Sequence, residues 1–445
     1  MNAVICGAGQ VGSFTAESLI ASGHRVTVID MDARRLSELG ETLDLRTVEG
    51  DASHVDVLER AGTADADLFF AATADDKVNL LSASIARGVG AKRAIVRVHA
   101  REYFERGSFD LKAHLGIDRI ISPEHAAARA IARSLRNPGA HAMETFARGR
   151  IEMQEVTVSP NAEAIGVPLN RLGLPAGTRV VSLKRQNLVS LPEASTQAQA
   201  GDVLTLIANA DVFAEARKKF KGEKPSRMRV VVFGGDETAV WLCREIRDRS
   251  FSVRVFETDR SRAEELAEEM SWVTVVNADP TDPTIFSEEG ISDADVFVAA
   301  RDDDEDNIVS SSFAKNQGVP RAIAVVQKRR FARLLEGMGV DRVVSPKREA
   351  AREISELLDR SPIRRLASVA EGILEVFEVR VGEKSRLAGV PLREITDFPN
   401  WILAGVEHEG EVFVPGPDLA FQSGDTLLVV GPRALERSLR EHICA

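Results

Sequence analysis

The chain has 445 residues, 44% of them hydrophobic and 28% charged, an ordinary globular composition with material for about three domains. Its 57 Lys and Arg against 68 Asp and Glu leave a net charge of -11. That balance argues against nucleic acid as a partner, because such affinity rests on Lys and Arg neutralising phosphates.

No stretch approaches the roughly 18 apolar residues of a membrane span; the longest candidates, 67–73 and 426–431, are strand-sized. The N-terminus enters a strand directly, without a basic stretch or cleavage site, which predicts no secretory signal. Cys6, Cys243 and Cys444 show neither CxxC pairing nor metal-ligand spacing, and Cys6, inside the first strand, reads as buried packing. A cytosolic location follows as the expectation.

Residues 4–6, 26–29, 45–49, 68–72 and 94–98 read as strands, and 10–22 and 33–42 carry helical periodicity. Strand, helix and strand in regular succession predict a parallel sheet with helices on both faces. Gly7-Ala8-Gly9-Gln10-Val11-Gly12 follows the first strand at once and opens a helix, and Asp30 ends the next strand 18 residues beyond Gly12. A GxGxxG run is weak alone; in this context it points to a dinucleotide. Gly7 permits the tight turn, Gly9 lets backbone N–H groups approach a pyrophosphate, and Gly12 lets helix pack on strand. The helix N-terminus then meets the phosphates with unpaired N–H groups. Asp30 can accept hydrogen bonds from ribose hydroxyls and would repel a 2′-phosphate, which favours NAD over NADP.

Three further groups belong to the same crevice. Gly50-Asp51-Ala52, after the third strand, is placed to border the adenine. Thr73-Ala74 follows the fourth strand, with Asp75, Asp76 and Asn79 starting the next helix; Asp75 and Asn79 read equally as ligand contacts or helix caps. Arg97 ends the fifth strand, a cation in reach of phosphate or ribose, with a surface ion pair as the plainer reading. From 151 to 208 the pattern changes to alternating strands with turn signals at 175–177 and 200–202, then a short helix at 210–220: a small α+β module. Residues 217–229, with seven Lys or Arg, are the candidate linker; a solvated face is the plainer reading of that basic run, contact with anionic lipid the other.

The whole pattern then repeats. Residues 116–131 match 339–354 at 9 of 16 positions, an offset of 223, and 62–84 match 290–312 at 12 of 23, an offset of 228. The change in offset places a five-residue deletion of the second copy opposite 103–115. In that copy Asp236 stands at the Gly9 position, Ala239 at Gly12, Glu257 at Asp30 and Val325 at Arg97. A carboxylate at the point of closest phosphate approach is unfavourable by bulk and by charge, so the second crevice is expected to be weak or empty for dinucleotides. The acidic run 302–306 suggests either a divalent cation or, more plainly, an acidic helix start favoured by the dipole. No GxSxG, P-loop or Cys–His arrangement is present; His54, His99 and His114 are scattered, and each reads as a surface or helix-end residue rather than a catalytic base.

Residues 7–12, Asp30, the Gly50-Asp51-Ala52 step, Asn79, Ser122-Pro123 and the module from Gly166-Val167-Pro168-Leu169 to Gly201-Asp202, present in tandem, resemble the RCK (KTN) family of regulatory units. The resemblance implies an α/β fold: two tandem Rossmann-like RCK-N domains with parallel sheets (1–135 and 228–358), each followed by a small α+β RCK-C module (140–224 and 363–445). It implies a non-enzymatic, cytoplasmic subunit, peripheral on the inner face of the membrane. Four chains would form a homotetrameric ring that gates an integral membrane potassium channel subunit of the Trk type. The ligand expected is NAD or NADH, with ATP or ADP possible at the same site. The implied contacts are Gly7, Ala8, Gly9, Gln10, Val11, Gly12, Asp30, Asp51, Ala52, Thr73, Ala74 and Arg97. A regulator of another cation transporter or antiporter, and an NAD-dependent oxidoreductase, stay open as alternatives.

Overall fold

The computed structural model describes residues 1–104, 109–136, 151–186, 188–221, 227–328, 331, 338–358, 362–369, 373–395 and 401–443. The first copy runs β1 (Asn2–Cys6), α1 (Gln10–Ala21), β2 (Arg25–Asp30), α2 (Ala33–Thr42), β3 (Arg46–Glu49), α3 (Val55–Arg60), β4 (Leu68–Ala71), α4 (Asp76–Val89), β5 (Ala94–Arg97), α5 (Leu111–His114), β6 (Arg119–Ile121) and α6 (Pro123–Arg136). The strands pair in parallel in the order β3-β2-β1-β4-β5-β6. All four residues of β4 are buried, as are the last four of β1, because helices cover both faces of the sheet. Asp32 and Asp75 start α2 and α4 by accepting backbone N–H groups of the first turn. Strand order reverses between β1 and β4, which opens a crevice at their carboxyl ends.

The small module that follows pairs β7 (Ile151–Thr157), β8 (Thr178–Arg185), β9 (Leu188–Ser190) and β10 (Val203–Asn209) antiparallel in the order β7-β10-β8-β9, covered by α7 (Phe213–Lys221). The linker expected over 217–229 begins too early. Residues 217–221 are the last turn of α7, whose Phe220 is fully buried, and 228 opens the next strand; 222–226 lie outside the described residues.

The second copy repeats the plan with β11 (Met228–Phe233), α8 (Glu237–Glu245), β12 (Phe251–Phe256), α9 (Arg260–Glu269), β13 (Thr274–Val276), α10 (Pro283–Glu288), β14 (Val296–Ala299), α11 (Asp304–Asn316), β15 (Ala322–Val325), β16 (Arg342–Val344) and α12 (Pro346–Leu358). Its sheet is again parallel, β13-β12-β11-β14-β15-β16. The last module pairs β17 (Ile363–Val369), β18 (Leu374–Arg380), β19 (Ile402–His408), β20 (Glu411–Phe413) and β21 (Thr426–Pro432) in the order β17-β18-β21-β19-β20, with α13 (Leu435–His442) at its end.

By contacts the chain divides into two units, Met1–Ala132 with Arg227–Leu358 and Arg133–Ser226 with Asp359–Ala445. Like repeats therefore associate, Rossmann half with Rossmann half and small module with small module. Inside the first unit the last helix of the second copy crosses to the first: Ala350 and Ile354 of α12 sit in the core of Val11, Ala16, Leu19 and Phe70. The opposite crossing is seen at α6, whose His125 stacks on Trp241 (ring centroids 4.4 Å) and meets Glu245 Oε1 at 2.9 Å. Arg101 of the first copy bridges Glu237 (2.9 Å) and Glu269 of the second. In the second unit Ile151, Met153 and Ile207 share a core with Val376, Leu428 and Val430. Across the same seam Arg179 donates to the Pro415 carbonyl at 2.6 Å.

Candidate functional site

The crevice of the first copy is a cavity of about 510 Å³. Of the expected residues, Gly7, Gly9, Gln10, Val11, Asp30, Asp51, Ala52, Thr73, Ala74 and Arg97 line it; Ala8 and Gly12 do not and are buried behind the loop.

The three loop glycines are glycine for different reasons. Gly7 has φ +104°, and a Cβ there would lie 2.9 Å from the backbone of Ala72 and Thr73. A Cβ on Gly12 would lie 1.9 Å from the Gly7 carbonyl oxygen. Gly9 meets nothing within 4 Å, and its φ of -68° suits any residue. The protein itself has no steric need of a glycine at 9. What the bare position provides is open space over the first N–H groups of α1, which no side chain caps.

Asp30 anchors this loop: its two carboxylate oxygens accept from Ala8 N (2.6 Å) and Asp32 N (2.8 Å). Each oxygen keeps a further lone pair for a ribose hydroxyl. Asp51 accepts from Ser53 N at 2.8 Å, and that bond holds its carboxyl below the usual range. Asn79 is buried and ties the opposite wall. Its Oδ1 accepts from Thr73 N (2.8 Å) and Thr73 Oγ1 (2.7 Å), and its Nδ2 donates to the carbonyls of Thr73 (3.0 Å) and Arg97 (3.1 Å). Asp75 is a helix cap, bonded to Lys77 N and Val78 N. Arg97 donates to the Thr73 carbonyl at 3.1 Å, while its Nε is buried with no partner, an unmet donor at the crevice wall.

Beyond the apolar Cys6, Ile29, Ala72 and Val78, three lining residues escaped the reading of the sequence: Met31, Arg35 and Lys347. Met31 is largely exposed directly after Asp30, and Arg35 pairs with Asp32 at 3.4 Å. Met31 sits in the β2–α2 turn and Arg35 in the first turn of α2, where a lining role follows from the position of Asp30. Lys347 belongs to the other copy, and only the crossing of α12 brings it here.

The second crevice is built differently. Asp236 Oδ2 accepts from Asp302 N at 2.7 Å, stapling the loop to the opposite wall. Arg262 donates twice to the Gly235 carbonyl (3.0 and 2.9 Å), and the Arg301 guanidinium lies 5.0 Å from the Phe233 ring centre. Burial pushes the Asp236 carboxyl upward. The acidic run at 302–306 is a helix start: Asp303 caps α11 through Asp306 N, and buried Asp304 accepts from Gln327 N (2.6 Å) and Lys328 N (2.9 Å). Among the described residues no group of three or more His, Cys, Asp or Glu is disposed to hold a metal ion.

His54 and His114 sit at helix ends. His99 pairs with Glu124 at 3.2 Å, and that hydrogen bond raises its pKa. Cys6 and Cys243 are buried, which pushes both thiols up to about 12; Cys444 lies outside the described residues. Among the described residues no helix is long and apolar enough to cross a membrane.

Comparison with known proteins agrees with this architecture. The TrkA-N domain family matches residues 3–123 and 230–346, and the TrkA-C domain family matches 153–221 and 376–443. A Trk system potassium uptake protein TrkA homolog of Archaeoglobus fulgidus is 35% identical over 430 residues, 96% of this chain and 97% of that one. The Trk system potassium uptake protein TrkA of Azorhizobium caulinodans is 31% identical over 439 residues, 96% and 95% of the two chains. Among solved structures, the GsuK RCK domain superposes with a TM-score of 0.61 over 99% of this chain and 94% of that one, at 18% identity. The GsuK channel bound to NAD gives 0.62 over 99% and 78%, at 17% identity. At such identities the structures show a shared fold, and the near full-length sequence matches place the chain in the TrkA family of Trk-system potassium uptake proteins.

Proposed function

We propose that this chain is a cytosolic regulatory subunit that binds NAD, NADH or an adenine nucleotide in the first Rossmann crevice and thereby gates a membrane potassium uptake channel. The observation that carries the reading is the vacant approach at Gly9, over the uncapped start of α1 and beside the unpaired Nε of Arg97. In this reading the phosphates meet the N–H groups of residues 9–11, Asp30 takes the ribose hydroxyls, and the adenine lies between Met31 and the Asp51-Ala52 step. The same Asp30 disfavours a 2′-phosphate. The GsuK channel bound to NAD supports a nucleotide on this fold.

The cavity suits binding rather than turnover. Its carboxylates Asp30, Asp51 and Asp75 are already engaged by backbone amides, and among the described residues no histidine lines it. A bound nucleotide acts by favouring one arrangement of the subunit over another, and only by the difference between its two affinities. A coupling of about 1–3 kcal/mol is the usual scale of such control. In the assembly the family resemblance implies, four chains close a ring of eight Rossmann units beneath the membrane subunit.

Calorimetric titration of the purified chain with NADH, NAD, ADP and ATP, paired with potassium uptake in a deficient strain co-expressing a Trk-type channel subunit, tests the proposal. One nucleotide site per chain and uptake that depends on the crevice are the expected results. Absence of nucleotide binding refutes the sensor, and restoration of proton-coupled cation exchange instead of potassium uptake would assign the chain to an antiporter.

A further inference from the structure

We propose that Lys347, on the first turn of α12 in the second Rossmann copy, is a phosphate-binding residue of the first copy's crevice, so that one nucleotide is held by both copies at once. The inference rests on the nucleotide-binding reading above and extends it to the route by which occupancy reaches the second copy.

Three observations converge. Lys347 lines the cavity, and its Nζ is hydrogen-bonded to Oε1 of Gln10, the first residue of α1. That is the end of the helix where unpaired N–H groups and the positive dipole face a phosphate. Second, the lysine is delivered by packing: Ala350 and Ile354 of the same helix are buried beside Ala16 and Leu19 of the first copy. Third, the crevice wall holds a cationic donor that nothing satisfies. Arg97 Nε is buried without a partner. Burial, together with the positive charge of Arg97, opposes the charged form of Lys347 and outweighs the nearby carboxylates of Asp302, Asp304 and Glu124. A phosphate between Arg97 and Lys347 supplies the missing anion and relieves that repulsion.

The duplication provides an internal comparison. Ser122-Pro123-Glu124 and Ser345-Pro346-Lys347 occupy the same place in the two copies, 223 residues apart. Glu124 is paired with His99 at 3.2 Å and belongs to the copy whose helix crosses toward the degenerate half. The cation is carried by the helix that reaches the intact glycine loop.

The test compares wild type with Lys347→Gln, Lys347→Arg and, as a neighbouring charge control, Arg348→Gln, each titrated calorimetrically with NADH and ADP. Loss of one charged phosphate contact predicts about tenfold weaker binding of both ligands to Lys347→Gln. Lys347→Arg should recover most of the affinity, and Arg348→Gln should bind as wild type. Hydrogen exchange supplies a readout that packing alone would not move. NADH should slow exchange in residues 346–358 of wild type but not of Lys347→Gln, while residues 7–12 are protected in both. Wild-type affinity in Lys347→Gln, or equal slowing of 346–358 in that variant, refutes the role of Lys347 and leaves the crevice assignment standing. A wild-type chain that binds neither ligand refutes both.

Discussion

Replacing Gly9 by Asp imposes on the first crevice the residue that the duplicated loop carries at 236. The protein has room for it: no atom lies within 4 Å of the added Cβ, and the backbone at φ -68° suits an L-residue. The ligand-free fold should therefore change by no more than about 0.5 kcal/mol, the range of an uneventful surface substitution. In the second copy the matching carboxylate accepts from Asp302 N at 2.7 Å, and the corresponding donor in the first is the backbone N–H of Ala74. The new side chain thus has a partner that holds it across the crevice mouth. Against a pyrophosphate the cost is large. One unit charge about 5 Å away at an effective dielectric near 20 is worth about 3 kcal/mol. Solvent at the crevice mouth discounts the combined repulsion from two phosphate charges to a total of about 3 kcal/mol, or a hundredfold loss of affinity. Calorimetry with NADH, beside thermal unfolding of the ligand-free chain, reads both quantities. Wild-type affinity in a stably folded Gly9→Asp variant would refute the assignment of the crevice. Gly12→Ala cannot serve as the probe, because its Cβ would sit 1.9 Å from the Gly7 oxygen and disturb the loop itself.

The reverse change, Asp236→Gly, should leave stoichiometry at one nucleotide per chain, because Arg262 and Arg301 still occupy the second crevice; a second calorimetric site would contradict this. Asn79→Ala removes four part-buried hydrogen bonds, three to Thr73 in the β4–α4 loop and one to the Arg97 carbonyl at the end of β5, and denaturant unfolding should register about 2–4 kcal/mol of lost stability. His408 stands where the first small module has Arg185, and its hydrogen bond with Asp425 raises its pKa. Stabilisation by this pair is complete below the unfolded-state value of about 6.5 and disappears as pH rises through the higher folded-state value. The Arg185–Asp202 pair stays charged throughout, so NMR titration of His408 in wild type and in Asp425→Asn should show the elevation only in the former. Cys6 and Cys243, with thiols pushed up to about 12, should resist brief iodoacetamide treatment of the folded chain; alkylation of either by peptide mass mapping would show local opening.

The parallel sheets and the first crevice were legible because their signals are local. Apolar strands buried on both faces, a glycine turn between strand and helix, and an acid at the end of β2 each lie within a few residues of the feature they specify. The repeat then supplied the second Rossmann half by analogy. What escaped is what depends on distant packing. The small residues and single Ile of α12 carry the same pattern whether the helix covers its own sheet or its neighbour's, so nothing in it announces that Lys347 enters the other copy's crevice. The basic run at 217–221 resembled a solvated linker by charge, and Phe220, one buried ring among lysines, decided otherwise. The pairing of like repeats is hidden for the same reason: two of the cores are shared between segments more than 200 residues apart, as Ala16 beside Ala350 and Ile151 beside Leu428 show.

Crossing helices change what divergence between the copies can achieve. Two separate Rossmann halves, one with an intact loop and one with Asp236 across its mouth, would amount to one binding site and one spare domain. Here the second half carries Lys347 to the first crevice, and the first half sends Arg101 to Glu237 at the start of the other copy's glycine-loop helix, 2.9 Å away. A ligand held by Lys347 beside α1 would therefore act on the seat of α12 in the first copy's core, where Ala350 and Ile354 are fully buried. Close-packed interfaces of this kind move between discrete arrangements rather than deforming smoothly. A second crevice without nucleotide affinity would then be compatible with control: in the proposed arrangement one ligand, gripped from both sides, would bias the relation between the two halves by the difference in its affinity for their arrangements.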